Sequence, residues 1–424
     1  MPSTFACTTN STRAIERGLL LYYLVYADQH GRAYEDTRYR AVFRTGDRLL
    51  LPDDAEMMPM PSGASLVVLP NRVPIAIDKN GQMLRYPRSG AQAMAALLPQ
   101  GYLRTLLPGY SRRAERLPLF GYTGVAWREG RFYVAARAVA SPEDLARWDP
   151  AHFNTPELEG LIAKRRQELG PNRIIDQLAH CSMVYGCFTA QNIFYRQREG
   201  ALPISPSCNA SCVGCISLQP SECCPAPQNR LTFIPTLDEA AELATLHLSQ
   251  GGEAISFGQG CEGEPLLQAE LAAGIIRRVR GVTPKGRLNA NTNAGFLRGV
   301  QQVVEAGIDS LRISLNSARS ACYTPYYRPG GYGLEDVVES IRYARQHRVY
   351  VSLNLLAMPG ITDRQEEVAA LKELVAATGV NQVQFRNLNL DPDLYLEVLP
   401  PAEGELLGML QLVDAVASTG VSLR

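Results

Sequence analysis

The chain has no net charge, few histidines and tryptophans, and no long apolar run, and each shortage excludes something. Lys+Arg and Asp+Glu number 42 each, so no global field would draw in nucleic acid or an anionic membrane surface. The missing basic excess also argues against RNA as the substrate. A local cluster of Arg104, Arg112, Arg113 and Arg116 reads as a solvated face, with a phosphate site as the alternative. No apolar run reaches the ~20 residues of a membrane helix. The start of the chain lacks a basic region followed by a hydrophobic core, so no secretory signal is expected and the expected location is cytoplasmic. His152, His180, His247 and His347 show no metal-ligand spacing, and the last two fall in predicted helices as surface or packing residues. Outside residues 181–261 cysteine is nearly absent: only Cys7 and Cys322 lie beyond that stretch.

What is present is an ordinary globular composition, 46% hydrophobic and 20% charged, long enough for two domains or one with an extension. Eight of the ten cysteines, crowded into one region, point to metal binding rather than a disulfide framework. Cys208, Cys212 and Cys215 have C-x3-C-x2-C spacing in one short loop. Three such thiolates can hold three irons of a [4Fe-4S] cluster and leave the fourth iron open to a small chelating molecule. A structural zinc site is normally closed by four ligands, and clusters held only by protein usually have four cysteines.

Residues 1–165 read as a β-rich N-terminal domain of α+β type, without a chemical motif. Apolar runs at 19–26 and 66–77 suggest strands, and 124–127 and 132–136 flank Arg128-Glu129-Gly130 as a hairpin. Thr155-Pro156 has the form of a helix start. A helical linker over 166–200 carries Cys181 and Cys187. From residue 201 to 424 the pattern is strand, loop, helix, repeated about every 30 residues. Strands are expected at 201–204, 254–257, 287–293, 310–315, 350–356 and 382–387. Helices are expected at 236–249 behind a Thr236/Glu239 capping box, 266–279, up to 304, 334–347, after a Thr362/Gln365 cap, and 403–417. Six such units in series imply a parallel sheet rolled into a partial (βα)6 barrel.

Strand parity makes the expected lumen polar. Leu311, Ile313 and Leu315 form one face of the fourth strand, which turns Arg312, Ser314 and Asn316 inward. The same parity sends inward Asn289, Asn291 and Asn293, then Ser352 and Asn354, then Gln382, Gln384 and Arg386. Closed barrels usually fill this space with Val, Ile and Leu. A polar ligand explains the difference; mutual hydrogen bonding over shared water is the alternative.

The segment 256–265, SFGQGCEGEP, follows the second strand, at the end where barrel active sites lie. Placed after the C-x3-C-x2-C loop, its Gly263-Glu264-Pro265 resembles the Gly-Gly-Glu-Pro segment of the radical S-adenosylmethionine (radical SAM) superfamily. The resemblance covers about residues 200–420. It implies a [4Fe-4S] cluster on Cys208, Cys212 and Cys215, with SAM on the open iron. Gly263, Glu264 and Pro265 would then meet the methionine end of SAM. Asn291, Asn293, Arg312, Ser314 and Asn316 would line the rest of the cofactor site, and Arg386 the adenosyl part or the substrate. The implied reaction is reductive cleavage of SAM to methionine and a 5′-deoxyadenosyl radical, which takes hydrogen from a substrate. The partners implied are SAM, a small-molecule or peptide substrate, and an external electron donor such as flavodoxin or ferredoxin. One position departs from the family: the aromatic residue often found before the third cysteine is Gly214 here, which leaves either Phe257 to replace it against the adenine or a different pose of the adenine.

Cys181, Cys187, Cys223, Cys224 and Cys261 leave three readings open: buried small hydrophobes, a second iron–sulfur cluster, or a catalytic thiol, for which Cys261 is the best placed. No cysteine follows the expected barrel, which argues against an auxiliary-cluster domain there. The segment 326–332 reads as a loop that either touches substrate or leads into a helix. Two alternatives to a radical SAM enzyme of unassigned substrate remain: a peptide- or protein-modifying maturase of the same superfamily, and a non-catalytic iron–sulfur or zinc-binding protein.

Overall fold

Short strands with alternating burial and tight glycine turns dominate the first part of the chain. The computed structural model describes residues 21–111, 115–219 and 226–424. Cys7, Cys223, Cys224, Arg112 and Arg113 lie outside these residues, as do Leu19 and Leu20 at the head of the first apolar run. The chain divides into two compact units, one built from residues up to 98 with 104–115 and 121–137, the other from 99–103, 116–120 and 138–424. Residues 138–165, grouped with the N-terminal domain on sequence grounds, thus fall in the second unit.

The first unit is antiparallel. Tyr23–Ala27 pairs with Ala33–Ala41, with Gln92–Leu97 and with Thr123–Arg128. Thr123–Arg128 and Arg131–Ala138 form the expected hairpin, with Val125 opposite Val134. Its turn takes Glu129 and Gly130 to φ 50° and 79°, the double left-handed geometry that matches strand twist. Tyr22, Phe43, Leu106 and Ala126 are among the buried residues of its core.

The second unit carries a seven-stranded parallel sheet in simple sequential order. Its strands are β1 (Arg198–Ala201), β2 (Gly252–Phe257), β3 (Arg287–Thr292), β4 (Ser310–Leu315), β5 (Tyr350–Ala357), β6 (Gln382–Asn387) and β7 (Ser422–Leu423). The seventh strand, which pairs Ser422 with Gln382, was not expected. Ahead of β1 stand α1 (Arg173–Val184) and α2 (Phe188–Tyr195). The connections carry α3 (Leu237–Ser249), α4 (Ala269–Arg280), α5 (Leu297–Glu305), α6 (Ser320–Tyr327), α7 (Leu334–Gln346), α8 (Gln365–Thr378) and α9 (Met409–Ala417).

One face of the sheet is apolar: Ile255, Phe257, Leu288, Leu311, Ile313, Leu315, Val351, Leu353 and Val383 are all buried. Each such side chain stabilises the fold by roughly 1.5–3 kcal/mol relative to exposure. Ala272, Ile275, Ile276 and Val279 supply the buried stripe of α4. The Thr236/Glu239 capping box is present at α3.

Three local expectations fail. The helix Leu158–Leu169 starts behind Glu157 without a side-chain cap, because the Thr155 hydroxyl meets that of Tyr195 at 3.1 Å. The Thr362 hydroxyl accepts from Met358 N at 3.0 Å and leaves α8 capped at Arg364. Residues 326 and 327 end helix α6, which runs through Pro325, rather than forming loop. Among the described residues no helix is long and apolar enough to cross a membrane.

Candidate active site

The cysteine loop leaves β1 and is fixed by backbone bonds to the end of α6. Ser211 N donates to Tyr327 O at 3.1 Å, Val213 N to Tyr326 O at 3.0 Å, and Gly330 N to Asn209 O at 2.7 Å. Ala210 and Pro329 form an isolated bridge. Segment 326–330 therefore holds the loop through its main chain, a role its side chains gave no sign of.

The three thiols are partly buried. Burial, followed by the neighbouring Cys208 and Cys215, pushes Cys212 up to about 12; burial also raises Cys208. Thiols that resist ionising because they are buried, and further because they face one another, suit a positively charged centre that would stabilise their thiolates. Arg230, unmarked by any motif, donates to Cys215 Sγ at 3.4 Å and to Ser217 Oγ at 3.1 Å. Among the described residues no group of three or more His, Cys, Asp or Glu side chains is arranged to hold one metal ion. A [4Fe-4S] cube takes one thiolate per iron, so it does not require convergence on a single ion.

The glycine-rich segment is bonded to the same loop. Gly263 N donates to Ser205 O at 2.7 Å and Glu264 N to Ser207 O at 2.8 Å. A Cβ on residue 263 would run into the Ser207 carbonyl, so glycine is required there by the close approach of two backbones. Glu262 accepts from four backbone N–H groups, of Ile204 (2.8 Å), Ser205 (2.9 Å), Gly258 (2.6 Å) and Gln259 (2.8 Å). Burial outweighs those donors and pushes its carboxyl up to about 7. The Glu264 carboxylate accepts from Thr292 Oγ1 at 2.5 Å, Asn293 N at 2.8 Å and Leu266 N at 3.1 Å, and burial raises it to about 6. Pro265 opens a short 3-10 turn. Gly263, Glu264 and Pro265 thus stand against the cysteine loop, with the Glu264 side chain and both N–H groups committed to the protein.

The polar face of the sheet is partly self-paired. Ser256 Oγ donates to Glu199 Oε1 at 2.6 Å, Asn289 to Ser256 Oγ at 3.1 Å, and Ser310 to Asn289 at 2.8 Å. Arg312 reaches both Glu199 oxygens, at 3.0 and 3.3 Å, and Asn291 Oδ1 at 2.8 Å. Burial opposes ionisation of Glu199, yet Arg312 and the Ser256 hydroxyl bring it down to about 2. Glu199 lies outside the strand expected at 201–204, because β1 begins three residues earlier, at Arg198.

Asn293 donates to Asn209 at 2.7 Å and so joins β3 to the cysteine loop. Asn316 donates to Cys322 O and to the Tyr395 hydroxyl, and its buried Oδ1 has no partner. Ser314 stands half-buried on β4. Arg312 Nε and Asn354 Oδ1 are likewise buried without partners.

Two candidates point elsewhere. Phe257 has the opposite parity to Ser256 and is fully buried, so it lies on the apolar face and cannot take over from Gly214. The space at Gly214 belongs instead to Tyr326, whose hydroxyl would lie 2.9 Å from an added Cβ. Cys261 is buried, with its thiol hydrogen-bonded to Cys181 of α1. Cys187 Sγ lies 3.3 Å from Thr189 Oγ1.

The sequence profile of the radical SAM superfamily matches residues 202–371. No curated protein matches the sequence. Among solved structures, a domain of pyruvate-formate lyase-activating enzyme from Bacteroides vulgatus is 15% identical over 40% of this chain and 96% of its own (TM-score 0.30). A radical SAM methyltransferase from Sphaerobacter thermophilus is 14% identical over 53% of this chain and 65% of its own (TM-score 0.39). SuiB from Streptococcus suis, bound to S-adenosylmethionine, is 11% identical over 63% of this chain and 60% of its own (TM-score 0.39). This chain spans less than two thirds of the last two, and likenesses this weak decide neither substrate nor residue roles.

Proposed function

We propose, from the match of residues 202–371 to the radical SAM superfamily profile, that the chain is an enzyme of that kind, in which Cys208, Cys212 and Cys215 hold three irons of a [4Fe-4S] cluster and leave the fourth to SAM. The bound pair would supply one-electron cleavage of SAM and a carbon radical able to remove hydrogen from a substrate. The chain's own residues bind and orient. Gly263 to Pro265 offer backbone to the methionine end, and Asn291, Asn293, Ser314 and Asn316 surround the remainder. Arg312, held by Glu199, belongs with them, and Arg386 lies toward the adenosyl part or the substrate.

The observation that carries this reading is the direct bonding of the glycine-rich segment to the cysteine loop, through Gly263 N to Ser205 O and Glu264 N to Ser207 O. It fixes a cluster-binding loop and a ligand-binding loop in one frame. In this reading the sheet and its helices form the partial (βα)6 barrel, an external flavodoxin or ferredoxin supplies the electron, and the β-rich N-terminal unit, outside the profile match, serves the substrate.

Anaerobic reconstitution with iron and sulfide, then reduction with SAM and chromatography for 5′-deoxyadenosine, tests the proposal. The protein should form the nucleoside and the Cys208→Ala/Cys212→Ala/Cys215→Ala variant should not. Bound zinc without sulfide, or a cluster that never cleaves SAM, would move the assignment to a structural metal site.

A further inference from the structure

Apart from Arg287, which is exposed at the strand start, and Arg424, which is paired with Asp144, the polar face of the sheet holds two guanidinium groups and one carboxylate. Arg312 occupies both oxygens of Glu199, and the side chains of that pair are 18% and 17% exposed. Arg386, on β6, has only neutral partners. It donates to Gln384 Oε1 at 2.9 Å and, with the Gln100 amide turned so that its oxygen faces the guanidinium, through both terminal nitrogens to the Gln100 oxygen. The Gln384 amide is itself held by Gln382 at 2.7 Å. Arg386 has no ion pair among the described residues. The nearby Arg424 does not change the balance, because it is paired with Asp144 at 2.9 Å.

We propose that Arg386 receives a carboxylate group of the substrate, with the Glu199–Arg312 pair fixed beside it. This rests on the reading that the polar face receives the substrate. A secluded charge without a counter-charge is costly, and the surplus here is a single positive charge. A singly charged, planar anion matches both that surplus and the fork of a guanidinium. Arg312 Nε and Asn354 Oδ1, on the same face and without partners, leave a donor and an acceptor for the atoms next to the carboxylate. A small opening lined by Gln100, Asp144, Trp148 and Arg424 reaches Arg386. Burial, then Arg312 and Arg424, lower its pKa to about 9, against the pull of Glu199.

The test is phenylglyoxal labelling of the reconstituted protein, with each arginine followed by peptide mass spectrometry. At matched ionic strength propionate should slow modification of Arg386 several-fold, propionamide should leave it unchanged, and Arg424 should respond to neither. Equal rates with propionate and propionamide would overturn the proposal. So would shielding by SAM without shielding by propionate, which would give the guanidinium to the methionine carboxylate. Formation of 5′-deoxyadenosine is scored separately. Protein that cleaves SAM but shows no propionate effect refutes only the carboxylate site; protein that shows the effect and never cleaves SAM refutes the radical SAM reading.

Discussion

Replacing Gly263 by alanine tests whether the two loops of the site are mechanically one piece. The added Cβ would meet the Ser207 carbonyl closer than 3.0 Å, and its next neighbours are again backbone atoms, Ser207 C and Cys208 N. No side chain can swing away, so main chain has to move. Overpacking of this kind costs about 1–3 kcal/mol. Separating the loops would also strain the 2.7 Å bond from Gly263 N to Ser205 O, worth about 1 kcal/mol. The expected loss is therefore about 2–4 kcal/mol, seen as a fall in urea midpoint at unchanged slope. Because the displaced carbonyl precedes Cys208, iron content after reconstitution should fall with it. The control is Gly160→Ala in the helix Leu158–Leu169, where nothing lies within 4 Å of the new methyl; it should gain about 0.5–1 kcal/mol. A Gly263→Ala protein as stable as its parent, with full iron, would refute the claim that the glycine is there for close approach.

His247 should make the protein acid-sensitive. Its ring is fully buried, with Nε2 3.2 Å from Arg198 O and Nδ1 unpartnered, and burial holds its pKa at about 4 against 6.5. The unfolded chain protonates this histidine first, so its contribution is complete above pH 6.5 and is lost as pH falls from 6.5 toward 4, about 3 kcal/mol in all. His247→Gln should flatten that slope in urea titrations at pH 7.5 and 5, and equal slopes would dismiss the account. Gly214→Ala should cost about 1–2 kcal/mol by overpacking against the Tyr326 hydroxyl. Combining it with Tyr326→Phe should restore most of the melting temperature, and strict additivity of the two changes would show that they do not touch.

Much of the parallel sheet was legible because period-two burial leaves its mark wherever one face is apolar, as in Leu311, Ile313 and Leu315. The glycine-rich segment was legible by position, since it follows a strand that follows the cysteines. Glu199 escaped because β1 is four residues long and contains Arg, Glu and Gly, which carry no strand signal. The caps proposed at Thr155 and Thr362 failed because each hydroxyl is engaged outside the helix it precedes: Thr155 by the distant Tyr195, Thr362 by Met358 N in the turn just before it. Phe257 was misjudged although its own strand's parity, fixed by Ser256, already turned it away. The backbone support from residues 326–330 had no sequence signal at all, because carbonyl groups are common to every residue.

That support has a consequence for biosynthesis. The carbonyls of Tyr326 and Tyr327 and the N–H of Gly330, which hold the loop around Cys212, are translated only after β2, β3 and β4. A nascent chain that has emerged only as far as β3 carries all three thiols but none of these anchors, and domains acquire their structure as units once the necessary chain is out. If the proposed cluster is held here, its loading into the finished loop is in that sense a late event, and the interval before it is when these cysteines are open to oxidation or to the wrong metal.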